Sequence, residues 1–266
     1  MSSFSGRSDA RTREASRKQF FRSSNPALSE RRFSSFPTSA VGSERMTIEG
    51  TANKAGLLLV LALLPALFVW SRVFVGESVG ELLVLGAIGG LIIGIIMVFK
   101  PEWSPVTAPI YAIFEGLFIG GVSGLMEAVY PGIAMQAGML TFGIFFSLLA
   151  LYKTRVVRVT ETFRTAVFAA TSGVALVYLV SAIMRMLLGY PIPYIHEGGI
   201  VGIVFSLIVV GIAAMNLVLD FDFIETAADE GAPKFMEWFS AFGLLVTLIW
   251  LYIEILRLLA KLRSDD

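Results

Sequence analysis

The chain has no cysteine and one histidine in 266 residues. Without cysteine there are no disulfides, no thiolate nucleophile and no thiolate metal site. The lone His196, between two apolar runs, does not make an imidazole metal centre. Charge is also scarce. Asp, Glu, Lys and Arg make up 16% of the residues, where a soluble domain carries about 25%. Catalytic signatures are missing as well: there is no GxSxG, HExxH, CxxC or phosphate-cradling glycine loop. The sequence predicts no enzymatic chemistry, no cofactor and no nucleic-acid partner.

What abounds is apolar, at 56% of the chain. Seven apolar runs stand at about 55–75, 81–99, 106–128, 133–152, 165–188, 198–220 and 237–259. Each is near the roughly 20 residues that a helix needs to cross a bilayer. They are continuous rather than alternating, which excludes a spanning barrel. The expected fold is all-α, a polytopic membrane bundle of seven transmembrane helices over residues 46–266, with the lipid bilayer as its surroundings. Residues 1–45 are rich in Ser, Arg and Pro without apolar period, and are expected to be a disordered basic tail beside anionic headgroups. An apolar core near the start is missing, so a secretory signal is not expected. Asp9 and Glu14 argue against an organellar transit peptide.

The formal charge is zero but unevenly spread. Residues 1–54 hold ten Lys and Arg against five acids, so they carry +5 and the remainder −5. With the N-terminus inside, the inner segments also hold Lys100, Lys153, Arg155, Arg158, Arg164 and Lys234, while the outer loops hold none. Lys/Arg asymmetry of this kind predicts a cytoplasmic N-terminus. Arg257, Lys261 and Arg263 then fall outside if the seventh run crosses fully, which is the expectation; a re-entrant seventh segment would return them inside.

The third run, within Thr107 to Gly132, combines a carboxylate, Glu115, with small residues four apart, Gly116, Gly120 and Gly124. Such a ladder lets a second backbone approach closely. The second run repeats it as Gly86, Gly90 and Gly94, and Pro65 interrupts the first. An ionisable group in hydrocarbon costs about 2.5–3.5 kcal/mol on insertion scales, which marks Glu115 as a candidate functional group. Asp220, Asp222 and Glu225 close the sixth run. Residues two apart point to different faces, so Asp220 and Asp222 do not serve one partner, whereas Asp222 and Glu225 share a side. The plainer reading places all three at the membrane–water boundary. Glu254 stands three residues before Arg257, a spacing that suits an ion pair at the membrane edge. Glu127 reads as an interfacial charge.

Several stretches resemble the Bax inhibitor-1/YccA-like family, also called the transmembrane Bax inhibitor motif family. They are SSNPALSERRF and MTIEGTANKAG before the first span, TAPIYAIFEGLFIGGVSG in the third, NLVLDFDFIE closing the sixth and FSAFGLLVTLIWLYIEILRLL in the seventh. The resemblance extends over effectively residues 24–260. The resemblance implies six helices around a central seventh and a pH-sensitive calcium leak. Eukaryotic members are associated with protection against cell death. It also implies a proton-sensitive latch between an aspartate on the sixth helix and one on the seventh. The first matches Asp220; the second falls on Thr247, a departure that removes the paired carboxylates. A Thr247 hydroxyl donating to Asp220 would stand in their place. Glu115 fits the acidic position of the third-span motif.

The leading expectation is therefore a calcium-permeable channel in a bacterial plasma (inner) membrane, with Asp220, Thr247, Glu115, Asp222 and Glu254 as pathway or gate groups. The alternatives are a proton-coupled transporter and a non-conducting regulator that binds other membrane proteins.

Overall fold

A computed structural model describes residues 45–189, 192 and 199–264. The expected tail, apart from Arg45, and His196 lie outside the described residues. Seven helices are long and apolar enough to cross a membrane. They are α1 (Ile48–Phe74), α2 (Gly80–Phe99), α3 (Ser104–Val129), α4 (Ile133–Lys153), α5 (Glu161–Leu188), α6 (Ile200–Asp229) and α7 (Met236–Ser264).

Two helices begin before their apolar runs because threonines cap them. Thr47 Oγ1 accepts from the Gly50 amide at 3.0 Å, and Thr160 Oγ1 accepts from the Phe163 amide at 3.2 Å. Such caps satisfy amides that lack a partner inside the helix. The larger departure is α6, which runs on to Asp229. Its apolar run ends at Asp220, but the following acids find cationic and phenolic partners on α4, on α5 and in the turn between them, so the helix continues. Asp220 is therefore an interior residue and not a boundary charge; it is 1% exposed.

The termini of α7 fix its path. At one end, Glu237 accepts from the amide and hydroxyl of Thr47, each at 2.9 Å, and pairs with Lys54 and with Lys234 at 3.2 Å. The Met46 amide also donates to Ala232 O at 2.8 Å. At the other end, Arg263 donates to Pro131 O and Gln136 Oε1, both at 2.8 Å, beside the α3–α4 turn. The helix thus runs unbroken between the two ends of the bundle, Met236 to Ser264, without the turn that a re-entrant segment would need.

In its most apolar stretch α7 is 72% buried, against 39% or less for each of the others, so it is the axis of the bundle. Four helices, α1, α3, α4 and α6, pack directly on it. The remaining two are mounted mainly through neighbours, α2 on α3 and α5 on α6. The glycine ladders explain the tightest contacts. A Cβ added at Gly116 would lie 2.2 Å from Ala62 O of α1, and one at Gly120 would lie 2.4 Å from Ala66 O. One at Gly86 of α2 would lie 2.6 Å from Phe114 O of α3. Large apolar side chains such as Leu64, Leu91, Phe146, Leu176 and Leu207 are exposed around the outside. A continuous apolar exterior of that kind suits lipid rather than water.

Candidate functional site: a polar file between α5, α6 and α7

Along α7, buried polar residues recur on one face: Ser240, Thr247, Glu254 and Lys261. Their spacing of seven keeps them in line on a helix. The matching face of α6 carries Gly202, Ser206, Ala213 and Asp220, again in line. Lys261 fixes the register between the two, because its Nζ donates to Gly202 O at 3.0 Å and to Ser206 Oγ at 2.8 Å. Running α6 and α7 antiparallel from that contact brings Asp220 level with Leu245, between Gly243 and Thr247.

Depth follows from a rise of about 1.5 Å per residue. Measured from Met236, Thr247 stands about 16 Å along α7, Glu254 about 27 Å and Lys261 about 37 Å. The hydrocarbon layer is about 30 Å thick. Asp220 and Thr247 therefore stand towards the middle of α7's length, a span comparable to that layer, and Lys261 stands close to its C-terminal end.

α5 closes the file with polar side chains at the same spacing of seven, Arg164, Thr171 and Tyr178. Arg164 pairs with Asp222. Asn216 Nδ2 donates to Thr171 Oγ1 at 2.8 Å. The Tyr178 hydroxyl donates to Glu254 Oε1 at 2.9 Å, and Arg257 Nη1 donates to Tyr178 Oη at 2.7 Å and to Glu254 Oε1 at 3.0 Å. Where α2 is held on α3 by close packing of small residues, α5 is held by three polar clasps, one at each level of the membrane.

Of the residues singled out from sequence, Asp220, Thr247 and Glu254 share this seam. Glu254 makes its expected pair with Arg257 and is 1% exposed, so it belongs to the interior rather than the surface. Asp222 turns away from Asp220, as the spacing requires, towards Arg164 and the Tyr152 hydroxyl, which also bonds Glu225. Glu225 in turn pairs with Arg155 at 2.6 Å. The Thr247 hydroxyl does not serve Asp220. It donates to Gly243 O at 3.2 Å, the back-bond to the preceding turn that Thr makes readily in a helix, and its single proton is thereby committed.

Glu115 lies elsewhere. It is half-buried on α3, 3.2 Å from where a Cβ on Gly90 of α2 would stand. Tyr111, one turn earlier, packs edge-on against Phe242 with ring centroids 4.7 Å apart, and Ser123 and Tyr252 share a hydrogen bond at 2.7 Å. That parallel register puts Glu115 level with Leu245 as well, on the opposite face of α7 from Asp220. Glu127 is structural: it accepts from the amides of Gly132 and Ala134 and so caps α4.

Sequence reasoning counted Lys261 and Arg164 only as charges that set orientation, and gave no role to Tyr178, Asn216 or Glu237. The heptad of Arg164, Thr171 and Tyr178 was a visible signal. The role of Lys261 was not visible, since only its oxygen partners on α6 distinguish it from an ordinary charge at a helix end. Among the described residues, no three His, Cys, Asp or Glu side chains converge on a metal position. A cation in this file would draw on one carboxylate together with hydroxyl and carbonyl oxygens, which are the ligands that calcium accepts. Ser240 Oγ is 1% exposed and has no hydrogen-bond partner among the described residues.

A model of the family described as Bax inhibitor 1 like matches residues 6–264, nearly the whole chain. No curated protein and no solved structure matches it.

Proposed function

Given that the chain belongs to the Bax inhibitor 1 like family, we propose that it is a calcium-permeable leak channel whose pathway is the polar file between α5, α6 and α7. The observation that carries this reading is Asp220, a carboxylate 1% exposed at mid-membrane depth on the face of α6 that meets α7. An acid in that position is costly, and intramembrane acids of this kind mark ion routes. Ser240 and Thr247 line the same seam and add oxygen atoms. Glu254 lies on the same line towards the far side, and Asp222 holds α5 at the near end. The protein works by permeation without catalytic chemistry, in a bacterial plasma membrane with its N-terminus in the cytoplasm.

Purified protein in calcium-indicator liposomes, compared with empty liposomes, tests the reading. Wild type is expected to leak calcium above the empty control without an imposed proton gradient, and Asp220→Asn to leak less. A strict need for a proton gradient would favour a transporter. Flux equal to that of empty liposomes would overturn conduction and favour a regulator of other membrane proteins. A reporter fused ahead of Thr47 is expected to be active only on the cytoplasmic side.

A further inference from the structure

At the far end of the file a cation is already in place. Lys261 is 5% exposed, and its ammonium is held by two oxygens of α6, Gly202 O at 3.0 Å and Ser206 Oγ at 2.8 Å. A backbone carbonyl and a hydroxyl are the neutral ligands that a hard cation takes from protein. Lys261 lies on the same face of α7 as Ser240, Thr247 and Glu254, so its head occupies the line of the proposed route rather than its flank. Arg257, one turn earlier, is engaged by Glu254 at 3.0 Å. These three side chains together carry a net charge of +1 at this end. A divalent cation approaching from that side meets a like charge on the oxygens it would bind.

We propose that Lys261 is a tethered cation that plugs the far mouth of the α6–α7 seam, competing with permeating cations for Gly202 O and Ser206 Oγ. This rests on the pathway proposed above. Lysine suits the role because its ammonium is a compact point charge on a flexible four-carbon stem. Its position about 37 Å along α7, past a hydrocarbon layer of about 30 Å, lets the head swing into water when it leaves. Release of the head frees two oxygen ligands and removes the opposing charge together. The plug therefore sets how much the channel leaks at rest, and favours small oxygen-seeking cations once it lifts.

The test uses the absence of native cysteine. Ala213 lies on the same face of α6, two turns inward from Ser206, and Ala213→Cys leaves both lysine acceptors intact. Its labelling by a membrane-impermeant thiol reagent is measured in full-length protein in liposomes, beside calcium flux, with Lys261 present and with Lys261→Met or Lys261→Gln. The glutamine keeps a donor for the two oxygens but no charge, and serves if the methionine variant does not fold. Expected is slow labelling with Lys261 and labelling faster by about tenfold or more without its charge, with calcium flux rising by a similar factor. Labelling that stays at the wild-type rate in a folded variant would overturn the plug. Faster labelling with no calcium flux in any form, wild type included, would retain Lys261 as the closure and reject calcium permeation instead.

Discussion

Glu115 on α3 and Asp220 on α6 stand at the same depth, both level with Leu245, with α7 between them. α3 meets the face of α7 that carries Phe242 and Tyr252, whereas α6 meets the face that carries Lys261. Two acids in mid-membrane are thus kept on separate seams and do not form one site. Substitutions at sites that share no partner add in free energy to within about 0.3–0.5 kcal/mol. Flux of the Glu115→Gln, Asp220→Asn double variant is therefore expected to be the product of the two single effects to within about twofold. A departure of tenfold or more would mean that the two acids act on one ion together.

The α1–α3 contact yields a sharper expectation. Gly120→Leu places a side chain where Ala66 O already stands 2.4 Å from the missing Cβ. Neither backbone can retreat without parting the two helices, and overpacking costs about 1–3 kcal/mol or more. Gly143 of α4 has nothing within 4 Å of its would-be Cβ, so Gly143→Ala is the control. Melting in detergent should drop clearly for the first and stay within about 1 kcal/mol of wild type for the second. Equal melting temperatures would refute the close α1–α3 approach.

The seven crossings were legible because lipid-facing helices read as unbroken apolar runs, and composition alone reveals them. The ladder of Gly116 and Gly120 was legible too, since small residues four apart have few uses besides close approach. The last turns of α6 were not, because a charge after an apolar run looks the same whether the helix stops or finds partners. Asp222 and Glu225 found Arg164, Tyr152 and Arg155, which depend on how α4 and α5 register against α6. For the same reason Lys261 read as a terminal charge, although it is seated on α6. A helical face is written in the sequence; the register between two faces is not.

The mid-membrane clasp on α5 can be weighed directly. Asn216 and Thr171 meet at 2.8 Å, and Asn216 Nδ2 also donates to Ile212 O at 2.9 Å. Interhelical hydrogen bonds in membranes average about 0.6 kcal/mol and reach about 1.7 in double-mutant cycles. A cycle over Thr171→Val and Asn216→Leu is expected to give a coupling within that range, read from reversible unfolding in detergent. Strict additivity would mean that α5 is held by its ends alone, through Arg164 and Tyr178.

Thr247 supplies the last expectation. It lies on the face of α7 that meets α6, within a turn of the level of Asp220, and its hydroxyl is turned back to Gly243 O. Thr247→Asp sets a second carboxylate against the first between two buried side-chain positions. Two such groups titrate as one coupled pair. When both are ionised they repel, more strongly between buried positions than in water. When they share a proton the repulsion is replaced by a hydrogen bond. The sign follows: the variant is most stable at low pH and loses stability as pH rises and the shared proton leaves, while wild type, with a neutral hydroxyl there, changes less. Melting temperature across about pH 5 to 9 is the measurement, and calcium flux over the same range should likewise vary more steeply in the variant than in wild type. Adding Asp220→Asn should flatten both curves, because one titrating member is gone. If Thr247→Asp alone follows the wild-type curve, Asp220 does not face α7 at this level, and the α6–α7 register is wrong.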